Sequence, residues 1–347
     1  MAAASATQAG PSASVEAQIR LHTILRFAVG TAAAFVVSEA IGWYPTFLAP
    51  LLAGVLLANL PACPPLKVGI VLVIVQAVGA YGAYILTSLL HLTPFVLFGF
   101  VAIILLVCFY NLARARLLGP ILFVLISFST IPIVTMTMPQ QAGPLPLAFT
   151  RAMIVAVVIV WLVYALWPKQ AVPKPRSAMT AYDYPLAIAL TGVAIVLPLM
   201  LLYLMYGITD ALPVLITTVV LVINFDPTRG VAQARAMMIG NFIGGAIALL
   251  CAAVVASAPS LATLTLVTLL VALAFAVLVE RGGPAGAVGL ITFNQAIVLF
   301  SLALAPGGGG GGLWVTRVTQ FGIACLFAVG MMALVFPRLT SIEPRRS

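Results

Sequence analysis

Charge is what this sequence has least of. Charged residues make up 7% of the 347, against about 25% in an ordinary soluble chain, and acidic side chains number only seven. That scarcity excludes a soluble globular enzyme. Histidine occurs twice, as His22 and His91, and neither has a partner at metal-ligand spacing. Cys63, Cys108, Cys251 and Cys325 are scattered singly with no CxxC pair, which suggests neither a disulfide framework nor a thiolate metal site. The glycine run from Gly307 to Gly312 follows Pro306 and lacks the neighbouring Lys-Ser/Thr of a phosphate loop, so it reads as a flexible outer loop. No ATPase, haem or redox signature is present, and the longest loops are too small to hold one. The expectation is a chain that is not an enzyme and needs no cofactor or metal.

What the sequence has in abundance is apolar length. It is 63% hydrophobic with a mean hydropathy of +1.23. A helix needs roughly 20 apolar residues to cross about 30 Å of hydrocarbon. That ruler predicts about twelve spans, near 24–42, 46–62, 68–90, 94–112, 118–136, 148–167, 184–206, 211–225, 232–256, 260–279, 284–305 and 314–336. The fold class is therefore an all-α polytopic membrane protein. The second and eighth spans are short and abut proline or polar residues, which predicts tilted or broken helices there. Residues 1–19 lack the basic region and apolar core of a secretory signal and read as a disordered cytoplasmic tail. Residues 338–347 read as a second cytoplasmic tail.

Sixteen Lys and Arg give a net charge of +9, but at this density their placement reports topology rather than affinity for nucleic acid. With the amino terminus inside, fourteen of the sixteen fall on the cytoplasmic side, among them Arg20, Arg26, Lys67, Arg114, Lys169, Arg229, Arg235 and Arg281. Arg26 and Arg235 lie at the edges of their spans. The outer loops near Tyr44, His91, Gln140, Asp210, Ala258 and Gly307 carry no Lys or Arg. Both termini are thus expected to be cytoplasmic.

The two halves resemble each other. Gly119-Pro120 followed by Ile126-Ser-Phe128 matches Gly283-Pro284 followed by Ile291-Thr-Phe293, at an offset of 164 to 165, and Arg151 matches Arg317 at 166. An even number of spans per half makes the repeats parallel, related by an axis along the membrane normal. The expected organisation is a first six-helix repeat over 20–168, a cytoplasmic linker over 169–183, and a second six-helix repeat over 184–337.

Several polar residues are candidates for a solute pathway. Arg151 and Arg317 lie near outer helix starts. Two roles are open to them: snorkelling to headgroups, or facing a central route, where the planar guanidinium can hold a carboxylate by two hydrogen bonds. Asn224, Asp226 and Arg229 sit after the eighth span, where Asp-Pro-Thr-Arg is ordinary helix-start chemistry and equally suits an inner gate. Arg235 would add a second cation, and Asn241 would extend the polar stripe or glue helices. Ser129 and Thr130 match Asn294 and Gln295 after the repeated Gly-Pro, which suggests a shared lining role beside the simpler one of interhelical hydrogen bonding. Glu39 and Asp226 are the candidate proton sites, since a shielded carboxylate can exchange a proton at accessible pH. Glu280 beside Arg281 reads as a cytoplasmic surface pair.

Leu25-Arg-Phe-Ala-Val-Gly30 and Phe47-Leu-Ala-Pro50 in the first half, with Ala211-Leu-Pro213, Asn224-Phe-Asp-Pro-Thr-Arg-Gly230, Arg235 and Met238-Ile-Gly-Asn-Phe-Ile-Gly-Gly245 in the second, resemble the fusaric-acid-resistance-like superfamily. That superfamily includes bacterial inner-membrane aromatic acid exporters and is related to plant malate channels. The resemblance implies that Pro227, Arg229 and Gly230 form the turn after span eight, and that Arg235 and Gly240 open span nine. It further implies an efflux transporter of small organic anions in the bacterial inner membrane, in contact with lipid; with no nucleotide site in the sequence and Glu39 or Asp226 able to exchange a proton, the proton-motive force is the expected driving force. An anion channel and a non-transporting scaffold or assembly subunit are the alternatives. A periplasmic adaptor or self-association would be further partners. The first half departs from the family pattern, with Pro61-Ala-Cys-Pro-Pro65 and Lys67 in place of Asp-Pro-Thr-Arg-Gly.

Overall fold

A computed structural model describes residues 13–60, 62–114, 118–169, 184–206, 215, 219 and 230–305, with 315, 319–320, 323, 326–327, 330–331, 334–335 and 338. Eleven α-helices are bounded among the described residues: α1 (Ala13–Ile41), α2 (Leu48–Asn59), α3 (Leu66–Leu90), α4 (Pro94–Ala113), α5 (Leu118–Thr137), α6 (Pro139–Ala142), α7 (Leu145–Leu166), α8 (Pro185–Met205), α9 (Gly230–Ser257), α10 (Leu261–Glu280) and α11 (Gly283–Leu304). Nine of them are long and apolar enough to cross a membrane.

Proline marks where these helices begin. It stands in the first two positions of α4, α6, α7, α8 and α11, where its missing N–H leaves no bond unmade and its fixed φ suits the first turn. The start of α10 uses a side chain instead, with Ser260 Oγ accepting the Thr263 N–H. The end of α1 is set by Gly42, at φ 70°. Its N–H bonds Glu39 O at 3.1 Å and the Trp43 N–H bonds Ser38 O at 2.9 Å, a Schellman stop that needs the left-handed residue glycine provides.

One expectation is corrected in the amino-terminal region. Helix α1 starts at Ala13, so residues 13–19 of the expected tail are helical. Alanine-rich sequence with Glu16 in the first turn favours a helix there. Helix α2 has 12 residues, or about 18 Å at 1.5 Å per residue, so it does not span the bilayer alone. Of the expected eighth span only Leu215 and Val219 are described, both helical and buried, and the described positions from Val315 to Arg338 are helical. The linker from 170 to 183 lies outside the described residues.

Exposure follows helical periodicity. On α3 the residues Val71, Ile74, Val78, Tyr81, Ile85 and Leu89 are exposed, a three-to-four spacing that forms one apolar stripe. In a membrane such a stripe faces lipid. By contrast α2 is encased, with Leu48 to Gly54, Leu56 and Leu57 all buried by packing on α1, α7 and α11.

Helix neighbours cross the middle of the chain: α1 packs on α10, and α4 packs on α8. Helices α3 and α5 are close neighbours, as are α9 and α11. Small residues set both of these last contacts. A Cβ on Gly79 would lie 3.3 Å from Val124 Cα, and one on Gly244 would lie 2.6 Å from Thr292 O. Gly240 and Gly244 form a small-xxx-small face on α9, which lets two backbones approach closely.

Candidate functional site

Helix α2 is the place to look, because a short helix wrapped by neighbours over most of its length leaves polar groups at its ends that need partners. Polar side chains meet it at three levels.

At its amino-terminal end, the turn created by Gly42 carries Trp43, Tyr44 and Thr46 toward α7 and α11. Arg151 of α7 donates from Nη2 to the Tyr44 carbonyl at 2.7 Å, and its guanidinium lies 5.3 Å from the Trp43 ring centroid. Glu39, near the end of α1, accepts from Thr46 Oγ1 at 2.5 Å, and Thr46 Oγ1 is also 2.5 Å from Ser301 Oγ. A hydroxyl has one proton to give, so Ser301 is the donor to Thr46. The result is a three-residue chain, Ser301 to Thr46 to Glu39, joining α11, the α2 lead-in and α1. Thr46 and Ser301 are buried.

Midway, Asn294 of α11 faces α2. Its Oδ1 lies 3.6 Å from where a Gly54 Cβ would be, and this atom is buried with no hydrogen-bond partner. Phe293 beside it stacks edge-on against Phe27 and Phe275. Gln295, one residue on, turns toward α9, with its Cβ 3.2 Å from a Gly244 Cβ. Its Nε2 is likewise buried and without a partner.

At the carboxyl-terminal end, the chain leaves α2 through Leu60. Tyr164 Oη donates to Leu60 O at 2.9 Å, and Trp161 Nε1 donates to Pro64 O at 2.9 Å, so two α7 aromatics satisfy carbonyls of the segment that follows the helix. Over the Tyr164 ring, 4.3 Å from its centroid, sits the guanidinium of Arg26. Arg26 is 5% exposed. Its Nη2 donates to Thr23 Oγ1 at 3.0 Å, while Nη1 is buried with no partner. Cys63 lies exposed in the adjoining turn. Burial pushes its thiol pKa up, and the Arg26 cation works against that rise.

Of the residues expected from sequence, Glu39, Arg151 and Asn294 come to α2. Ser129 and Thr130 are fully buried on α5 and both donate to Ile126 O of their own helix, at 3.0 and 2.7 Å. Hydroxyls can bond back in this way; the longer amides of Asn294 and Gln295 at the matched positions do not. Arg235 and Asn241 stand on α9. Asn224, Asp226, Arg229 and Arg317 lie outside the described residues. Glu280 pairs with Arg20 at 2.8 Å, not with Arg281. That ion pair ties the amino-terminal part of α1 to the carboxyl-terminal end of α10.

Sequence reasoning missed Arg26 as more than a topology marker, and it missed Thr46 and Ser301. The signal for Arg26 was its place inside Leu25-Arg-Phe-Ala-Val-Gly30, in an otherwise apolar stretch of α1.

These elements define a multi-pass α-helical membrane protein with polar groups buried in its interior. Residues 23–163, which cover most of α1 and run into α7, match the family model described as a protein of unknown function, DUF2955. No curated protein and no solved structure matches the chain.

Proposed function

We propose that this protein carries small organic anions across the membrane along a route that follows α2. The observation that carries the reading is the set of polar groups at the outer end, middle and inner end of this one encased helix. From Thr46 to Leu60 is fourteen residues, or about 20 Å of a hydrocarbon layer about 30 Å thick. Polar groups buried in a membrane protein are expensive and usually mark a pathway. Short, interrupted helices likewise mark substrate sites in transporters built from repeats.

Three further points support the proposal. The close pairs α3 with α5 and α9 with α11 stand at equivalent places in the two expected repeats, as do α1 with α10 and α4 with α8, which favours parallel six-helix halves related by an axis along the membrane normal. Arg151 supplies a cation at the outer mouth and Arg26 one at the inner end, so an anion is favoured over a cation. The resemblance to fusaric-acid-resistance-like exporters, resting on short motifs, favours an aromatic or otherwise amphipathic carboxylate, efflux, and a bacterial inner membrane.

Coupling to the proton gradient would use Glu39, whose carboxylate is held in the Thr46–Ser301 chain. Asn224, Asp226, Arg229 and Arg235 would form the inner gate, and Arg317 the outer cation of the second half. Purified protein in liposomes tests the scheme. Uphill benzoate movement driven by an imposed pH gradient supports a coupled transporter; purely downhill, voltage-following flux supports an anion channel; no flux above empty liposomes leaves the scaffold reading.

A further inference from the structure

We propose that Arg26, with Tyr164 beneath it and the Cys63 turn beside it, is a binding site for the carboxylate of a small amphipathic acid at the inner end of α2. The assignment rests on the anion-transport reading and adds to it the place where the anion is held.

Among the described residues Arg26 has no acidic partner, and the ion pair there is the one between Arg20 and Glu280. Snorkelling does not account for it, because a snorkelling guanidinium puts its N–H groups in water, whereas Nη1 of Arg26 is buried without a partner. A clamp between α1 and α7 does not account for it either. The Tyr164 face attracts the cation but accepts none of its in-plane N–H donors, and the Tyr164 hydroxyl is turned to Leu60 O. What remains is a charged donor, Nη1, lacking an acceptor, beside an Nη2 of which Thr23 takes one of the two N–H groups. A carboxylate supplies both the missing acceptor and the missing charge, and the guanidinium fork fits its two oxygens. One turn further along α1, at Gly30, Leu57, Ile159 and Val163 pack too closely to admit even a methyl group, so the wall of the site on that side is aliphatic and the apolar body of such an acid would lie against it. Amphipathic acids therefore fit better than small inorganic anions.

Cys63 makes the site testable without measuring transport. In the full-length chain carrying Cys108→Ala, Cys251→Ala and Cys325→Ala, the rates at which the Cys63 thiolate forms a mixed disulfide with anionic sulfonatoethyl methanethiosulfonate and with neutral methyl methanethiosulfonate, each releasing methanesulfinate, are compared. Their ratio cancels changes in thiolate fraction. The ratio should fall at least about fivefold in Arg26→Gln, and benzoate should lower it toward that value only when Arg26 is present. Arg26→Lys keeps the charge but loses the fork, so it should keep much of the ratio and lose the benzoate effect. If Arg26→Gln does not fold, the benzoate effect in the chain retaining Arg26 decides the matter alone. A ratio insensitive to benzoate overturns the proposal. So does a ratio that responds only to replacing phosphatidylcholine with phosphatidylglycerol vesicles, since the guanidinium then serves a lipid phosphate. Benzoate protection without flux in liposomes leaves the site standing and refutes transport, whereas flux without protection refutes the site alone.

Discussion

Gly244→Ala tests whether the two long helices α9 and α11 approach as closely as described. A Cβ there would meet Thr292 O at 2.6 Å, Ala296 N at 3.2 Å and Gln295 Cβ at 3.2 Å. The first contact is with backbone, which cannot swing aside, so the helices must separate. Overpacking of this kind costs about 1–3 kcal/mol, and replacing helical glycine by alanine returns about 1 kcal/mol through propensity. With a backbone clash at 2.6 Å the overpacking sits at the upper end of that range, so the net expectation is about 2 kcal/mol of destabilisation, roughly a thirtyfold shift in the folding equilibrium. Gly240→Ala is the internal control: its nearest atom is Thr292 Oγ1, at 2.5 Å, and a side-chain hydroxyl can rotate away. Unfolding of both variants in a graded series of SDS and mild-detergent micelles gives the comparison. Finding Gly244→Ala as stable as the parent, or less perturbed than Gly240→Ala, would refute the close approach.

Other outcomes follow from the same contacts. Asn294→Leu removes a buried amide whose Oδ1 lacks a partner; relief of about 1 kcal/mol or more is expected, with benzoate flux per folded molecule falling severalfold, so thermal unfolding and flux should move in opposite senses. Arg151→Ala loses the bond to Tyr44 O and the Trp43 contact, and under the pathway reading its flux drops by more than its yield of folded protein; equal losses would make Arg151 structural. Glu280→Gln breaks a pair whose side chains are 20% and 54% exposed, so stability should change by less than about 1 kcal/mol, with unchanged flux.

Most of the fold was legible because span-length apolar runs and prolines at helix starts are local signals. The predicted spans at 94–112, 118–136 and 260–279 lie within one or two residues of α4, α5 and α10 at each end. The short second span was also legible, from Pro50 and the Pro61–Pro65 stretch. Its burial was not, since that depends on α1, α7 and α11 closing around it. The candidate site was readable only in pieces. Glu39 and Asn294 stood out as polar residues in apolar runs, but the Thr46–Ser301 contact joins residues 255 apart, and no spacing rule reaches that far. Arg26 was obscured by the positive-inside pattern: a basic residue at a span edge looks the same in sequence whether it reaches water or is shut beneath an aromatic ring. Ser129 and Thr130 showed the converse, because hydroxyl polarity in a sequence does not reveal that the preceding turn absorbs it.

The central claim, a solute route along α2, is tested most directly at Gly54. A Cβ there would have Thr31, Asn294 and Phe293 at 3.5 to 3.6 Å, which is ordinary contact, so Gly54→Ala should fold and carry benzoate into or out of liposomes much as the parent does. Gly54→Leu should fill the space beside Asn294 and abolish flux while the protein remains folded by gel filtration and circular dichroism. A folded Gly54→Leu protein that moves benzoate at the parental rate would contradict the account.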